Sequence, residues 1–113
     1  MEALNNYNIQ HGDSDSHFVF SGEMRLHSPI AYDEPFSDLK QSIESPDTPE
    51  VVLDIGQLEY LNSSGITSFA RLILLASKHS KPLKIIYNKT IPWQTKNVVS
   101  LAKLHPKIEL QEL

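Results

Sequence analysis

The stretch that decides the fold is Val51-Val52-Leu53-Asp54-Ile55-Gly56-Gln57-Leu58-Glu59-Tyr60-Leu61-Asn62-Ser63-Ser64-Gly65-Ile66. Its first part, through Ile55, is a continuous run of strand type, the pattern of a central strand buried on both faces. Leu58 to Leu61 then leads into Asn62-Ser63-Ser64-Gly65. From Ser64 to about His79 the apolar residues fall at helical spacing. Ile66, Phe69, Ala70, Ile73 and Ala76 form one face, widened by Leu72 and Leu75.

Towards the C-terminus, Pro82 follows the helix and Leu83-Lys84-Ile85-Ile86-Tyr87 reads as the next strand. Thr90 is the expected cap of a helix with Pro92 in its first turn and Val98, Leu101, Ala102 and Leu104 as its apolar stripe. Pro106 ends it, and Ile108-Glu109-Leu110 predicts a short edge strand. Towards the N-terminus, Leu4, Tyr7 and Ile9 suggest a strand over 3–10, and His11 to Ser16 a polar turn. His17 to Ser21 is a short apolar strand, continued past Gly22 by alternating Met24 and Leu26. Pro29 and Pro35 bracket an irregular stretch. Pro35 marks a helix start, with Phe36, Leu39, Lys40 and Ile43 at helical spacing until Pro46 and Pro49 stop it. The order β-β-α-β-α-β-α-β predicts an α/β fold: a mixed or mostly parallel sheet of about five strands packed by three or more helices.

At 113 residues, 40% apolar and 21% charged, the chain is expected to form one domain, 1–113, and not a disordered tail. It has no cysteine, which excludes a disulfide scaffold, a thiolate metal site and a Cys nucleophile, and fits a reducing cytoplasm. The longest apolar run, Leu72 to Ala76, cannot span a membrane, and the first residues lack the features of a signal peptide. A net charge of −4 argues against nucleic acid as a partner. Residues 1–62 carry 12 acids and two bases, and residues 63–113 two acids and eight bases. Such halves either attract one another on an ordinary solvated surface or give the molecule a polar axis. Intermixing on folding favours the first reading.

Little points to catalysis or to a cofactor. The five histidines show no metal-binding spacing, the four glycines are isolated, and no Gly-x-Ser-x-Gly elbow supports a triad. No catalytic, metal-binding or cofactor-binding residue is therefore expected. Asp13-x-Asp15 reads as a solvated hairpin, since no ligating Glu follows at calcium-loop distance. Trp93, beside Pro92, could anchor a partner or cover the helix start, and core packing is the favoured reading. Asn62-Ser63-Ser64-Gly65 has two readings. Asn and Ser are favoured helix caps. Propensity alone favours that reading, but the same geometry permits another: a Ser at a helix mouth lies where free N–H groups and the dipole tolerate a phosphate of about −1.5 to −2 charges, which would repel a docked partner.

Together these residues resemble the signature of STAS domains, the bacterial anti-sigma-factor antagonists, in which a buried strand and short loop lead to Asp-Ser-Ser-Gly or Asp-Ser-Thr-Gly at the second helix. Phe20-Ser21-Gly22-Glu23-Met24 resembles that family's Gly-Glu-Leu segment, and the later elements follow in the family's order. Asn62 stands where the usual motif has Asp, and in this it is similar to the SiaC-like regulatory phosphoproteins. The resemblance implies Ser63 as phosphoacceptor, with Ser64 as the secondary hydroxyl. It implies a serine kinase or anti-sigma factor of the histidine-kinase-like ATPase fold as partner, and a metal-dependent serine phosphatase to reverse the modification. The domain itself would be substrate and ligand, not enzyme, and cytoplasmic. Its partner surface is expected at Gly22, Glu23, Met24 and Arg25, at Tyr60, Asn62, Ser64 and Gly65, and at Thr67, Arg71 and Leu74 on the following helix. Leu74 is an apolar residue in an otherwise polar row, either a contact or an ordinary exposed Leu. The alternatives are a constitutive scaffold of the same fold in which Ser63 only caps the helix, and a small enzyme or ligand-binding module using a pocket beside the helix start.

Overall fold

The computed structural model describes residues 6–113. The elements follow in the predicted order: β1 Asn6–His11, β2 His17–Met24, α1 Ser37–Glu44, β3 Val51–Leu61, α2 Ser63–Lys78, β4 Leu83–Tyr87, α3 Pro92–Ala102 and β5 Ile108–Glu112. Leu4, expected in the first strand, lies outside the described residues. β1 and β2 pair antiparallel, and β2 to β5 are parallel neighbours, so the sheet order is β1-β2-β3-β4-β5. Every crossover advances one strand in the same direction. Right-handed connections therefore put all three helices on one face.

The core lies between that face and the helices. Phe18 and Phe20 of β2, Leu53 and Ile55 of β3 and Ile85 of β4 meet Leu39, Ile43, Phe69, Ile73 and Val98. Phe20 packs edge-on against Phe36 and Phe69, which stack on each other at 5.2 Å, joining β2 to the start of α1 and to α2.

β3 is one strand where the sequence suggests two pieces. Relative to β2 it takes in an extra residue between Asp54 and Gln57 and another between Leu58 and Tyr60. Each bulge shifts the inward phase, from Val51, Leu53 and Ile55 to Leu58 and then to Leu61. β4 pairs with β3 only over Val51 to Asp54. Beyond it, the first turn of α3 takes over. Gln94 Nε2 donates to Ile55 O (2.6 Å) and Leu58 O (2.9 Å), and half-buried Trp93 donates from Nε1 to Leu58 O (2.8 Å). Carbonyls that would otherwise face a missing strand are thereby satisfied.

Several boundaries differ from the sequence reading. Pro35 precedes α1, which begins at Ser37 behind Phe36 without a side-chain cap. Thr90 does not cap α3; Ile91 is its N-cap, and Thr90 instead donates through N–H and Oγ1 to Asn88 Oδ1. The irregular stretch contains a 3₁₀ turn, Pro29–Tyr32, whose Ser28 Oγ accepts from Ala31 N–H. The two charge halves meet in the middle of the molecule, where Lys81 Nζ donates to Ser45 O and Thr48 O and Arg71 shares a groove with Asp33 and Glu44, and they separate towards its two ends. Strand order in space follows chain order, so the acidic half builds the β1–β2–α1 end and the basic half the α3–β4–β5 end.

Candidate functional site

The site forms where the carboxyl ends of β2 and β3 meet the mouth of α2. Met24 pairs with Leu61, and Asn62 N–H donates to Met24 O (3.2 Å), so the chain leaving β2 runs beside the turn. Asn62 is the N-cap of α2: its Oδ1 accepts from Gly65 N–H at 3.0 Å. Capping therefore belongs to Asn62, not to Ser63. Ser63 is the first helical residue and exposed, and its hydroxyl has no hydrogen-bond partner among the described residues.

The Asn62 amide is engaged on both sides. Oδ1 also accepts from Tyr32 Oη–H at 2.6 Å, and Nδ2 donates to Leu26 O at 2.8 Å. Tyr32 Oη in turn accepts from Leu26 N–H at 3.2 Å. Tyr32 is fully buried, and that burial raises its phenol above the ordinary 10.0, with the Leu26 N–H bond opposing to a lesser degree. A further link lies one turn along α2, where buried Ser68 donates from Oγ to Pro29 O at 3.0 Å. Sequence reading missed Tyr32, Leu26 and Ser68. Tyr32 and Leu26 sit 30 and 36 residues from the Asn62 they join, and Ser68 resembles any polar residue on a helix.

The expected partner residues divide. Glu23, Arg25 and Tyr60 form one surface group: Arg25 pairs with Glu23 at 2.8 Å and its guanidinium lies 4.3 Å from the Tyr60 ring centre. Thr67, Arg71 and Leu74 are exposed along one side of α2, and Leu74 is 51% exposed. Ser64 is half-buried beside Ser63. Met24 and Gly65 are corrected because they are buried, while Gly22 and Asn62 are half-buried. Met24 is fully buried, because the bulged register turns it into the core. Gly65 is buried beneath Leu61 and Tyr32; a Cβ there would lie 2.3 Å from Leu61 Cδ1, so its role is close packing. Gly22 is half-buried at φ +90°, and a Cβ would lie 2.1 Å from Asn6 O; it shapes the β1–β2 pair. The Asn62 side chain is turned inward by the bonds above.

No carboxylate or imidazole is hydrogen-bonded to Ser63 among the described residues, and no group of three or more metal-ligating side chains occurs among them. A groove of about 580 Å³ runs between α1 and α2, lined by Tyr32, Phe36, Lys40, Ser68, Arg71 and Leu75 among others. Ser63 is not part of it. No helix among the described residues is long and apolar enough to cross a membrane.

A mostly parallel five-stranded sheet with its helices on one face, and a hydroxyl at the mouth of the second helix, define the class of fold. The chain matches no protein-family model and no curated protein. Among solved structures it superposes on a chain of the crystal structure of diguanylate cyclase SiaD in complex with its activator SiaC from Pseudomonas aeruginosa. The TM-score is 0.67 and the identity 16%, over 99% of this chain and 96% of that one. The likeness covers nearly all of both chains and supports a SiaC-like fold.

Proposed function

We propose that this chain is a phosphorylation-controlled partner-switching regulator of the SiaC-like, anti-sigma-factor-antagonist type, acting in the cytoplasm as ligand and substrate and not as an enzyme. With Ser63 unmodified it binds a regulatory partner through Glu23, Arg25, Tyr60, Ser64 and the Thr67–Arg71–Leu74 side of α2. One partner is a serine kinase of the histidine-kinase-like ATPase fold. That kinase transfers the γ-phosphoryl group of ATP to Ser63 Oγ, with loss of the hydroxyl proton and departure of ADP. The added charge releases the partner, and a metal-dependent serine phosphatase restores the hydroxyl. SiaC is described as the activator of a diguanylate cyclase, which makes a regulated enzyme a natural second partner here.

The observation that carries this reading is the exposed Ser63 hydroxyl, free of any hydrogen bond among the described residues, with the helix already capped by Asn62. A scaffold in which Ser63 serves only as cap is disfavoured by the same observation. The α1–α2 groove does not include Ser63, so it lends no support to an enzyme reading centred on that hydroxyl.

The test is intact mass after incubation with ATP and an active kinase encoded beside this gene. The expected result is a gain of about 80 Da, the mass of one phosphoryl group, abolished by Ser63→Ala. Modification that survives Ser63→Ala, or none from a kinase active on another substrate, overturns the assignment.

A further inference from the structure

We propose that the Leu26–Tyr32 segment reports the modification state of Ser63: it is latched to the α2 mouth when the hydroxyl is bare and released when it is phosphorylated. The proposal rests on the reading of Ser63 as phosphoacceptor and adds a conformational output to it.

The latch is a closed cycle of three hydrogen bonds. Leu26 N–H donates to Tyr32 Oη, Tyr32 Oη–H donates to Asn62 Oδ1, and Asn62 Nδ2 donates back to Leu26 O. One amide group thus holds two arms of the cycle, as acceptor on one side and donor on the other. The segment's inner side chain, Tyr32, is fully buried, while Ile30 on the same 3₁₀ turn is 74% exposed. An exposed apolar side chain is thus carried on the turn whose Tyr32 is bonded to Asn62, the residue before Ser63.

Ser63 is the next residue after Asn62. A phosphoryl group on its Oγ brings up to two negative charges and three strong acceptor oxygens to the turn. It attracts the Nδ2 donors of Asn62 and the N–H of Gly65, and repels Oδ1 and the Leu26 carbonyl. Turning the amide toward the phosphate breaks both of its arms together, because the two bonds share one rigid planar group. The Ser68 Oγ–Pro29 O bond is left as the remaining polar link described between the segment and α2. A partner would then meet a new charge and, beside it, an Ile30 turn that is no longer held in place.

The experiment uses the full chain with phosphoserine installed at position 63 by genetic-code expansion, read by amide hydrogen exchange. The expected result is about tenfold faster exchange over residues 26–32, with α1 and the centre of β3 unchanged. Tyr32→Phe, which removes the phenolic oxygen and keeps the ring, should speed the same residues without phosphate, and phosphoserine should add little to it. Exchange within about twofold of the unmodified protein, no effect of Tyr32→Phe, or acceleration spread over the whole sheet each overturns the latch. Failure of a kinase to modify Ser63 counts against the function proposed above. It leaves this measurement intact, since the phosphate is already in place.

Discussion

At the scale of single residues, Asn62 cannot be exchanged for the Asp that the STAS motif usually has. Either residue caps a helix well. Only Asn also offers a donor, and Nδ2 gives its hydrogen to Leu26 O at 2.8 Å. A carboxylate there would face a carbonyl oxygen, leaving a part-buried acceptor unpaired beside a like partial charge. Asn62→Asp is expected to destabilise the fold by about 1–3 kcal/mol near neutral pH, measured by urea unfolding, with recovery in acid where a protonated carboxyl can donate. Asn62→Ser, which keeps a cap but loses the bond to Leu26, should fall between the two. The capping role of Asn62 was legible in the sequence, since Asn before a helix is a local signal. Its second role was not, because Tyr32 and Leu26 reach it only through the parallel pairing of β2 with β3. Tyr32 adds a pH dependence. Burial raises its phenol above 10.0 in the folded state, so up to about pH 10 both states keep the proton and stability is unaffected. As pH rises further the unfolded chain loses its proton first, and stability falls until the folded-state value is passed. Tyr32→Phe should flatten that part of the alkaline loss in urea midpoints taken from about pH 9 to 11.

At the scale of elements, β3 outruns its neighbour. β4 stops pairing at Asp54, yet β3 continues to Leu61, and the first turn of α3 satisfies the exposed carbonyls through Gln94 and Trp93. Gln94 is fully buried, and its Oε1 also accepts from Asn88 N–H at 2.7 Å. Gln94→Leu, close in volume but without donors, should cost about 1–3 kcal/mol in urea unfolding, because it leaves buried carbonyl and N–H groups unpaired. Trp93→Phe should cost less, since Gln94 still serves Leu58 O. The order and type of the strands and α-helices were legible, though not the 3₁₀ turn Pro29–Tyr32, because periodicity changes cleanly from run to run and prolines punctuate the joins. The continuity of β3 was not, since each bulge shifts the inward phase by one residue and the alternation reads as broken after Ile55. Gln94 was equally hidden: a Gln in the first turn of a helix looks solvated until a strand end is placed beneath it.

At the scale of the molecule, the sheet order turns a sequence asymmetry into a spatial one. Strands that followed each other in another order would have interleaved the two charge halves. Here β1 to β5 lie in chain order, which sets the outer strands about 19 Å apart at the usual strand spacing, roughly twice the Debye length of about 8 Å at physiological salt. The ion pairs Arg25–Glu23 and Lys89–Glu112 each stay within their own half, so neither neutralises the axis. The proposed partner surface reaches from the acidic end towards the basic one: Glu23 sits at the end of β2 and Arg25 follows it, while Arg71 and Lys78 are the only charged residues of α2, both basic. A charged partner is therefore oriented before it makes contact, and its association rate should fall steeply as salt is raised. The axis can be measured without any partner. Despite a net charge of −4, the protein should be retained by a sulfonate cation exchanger at pH 7 and low ionic strength through its basic end. Reversing exposed Lys96, Lys103 and Lys107 to Glu should abolish that retention. Reversing the exposed acids Asp13, Asp15 and Asp38 to Lys raises the net charge by as much in the other direction, and should increase retention only modestly if the basic end already governs the contact. Equal dependence on both sets would mean that net charge, and not its placement, sets how this molecule meets charged surfaces.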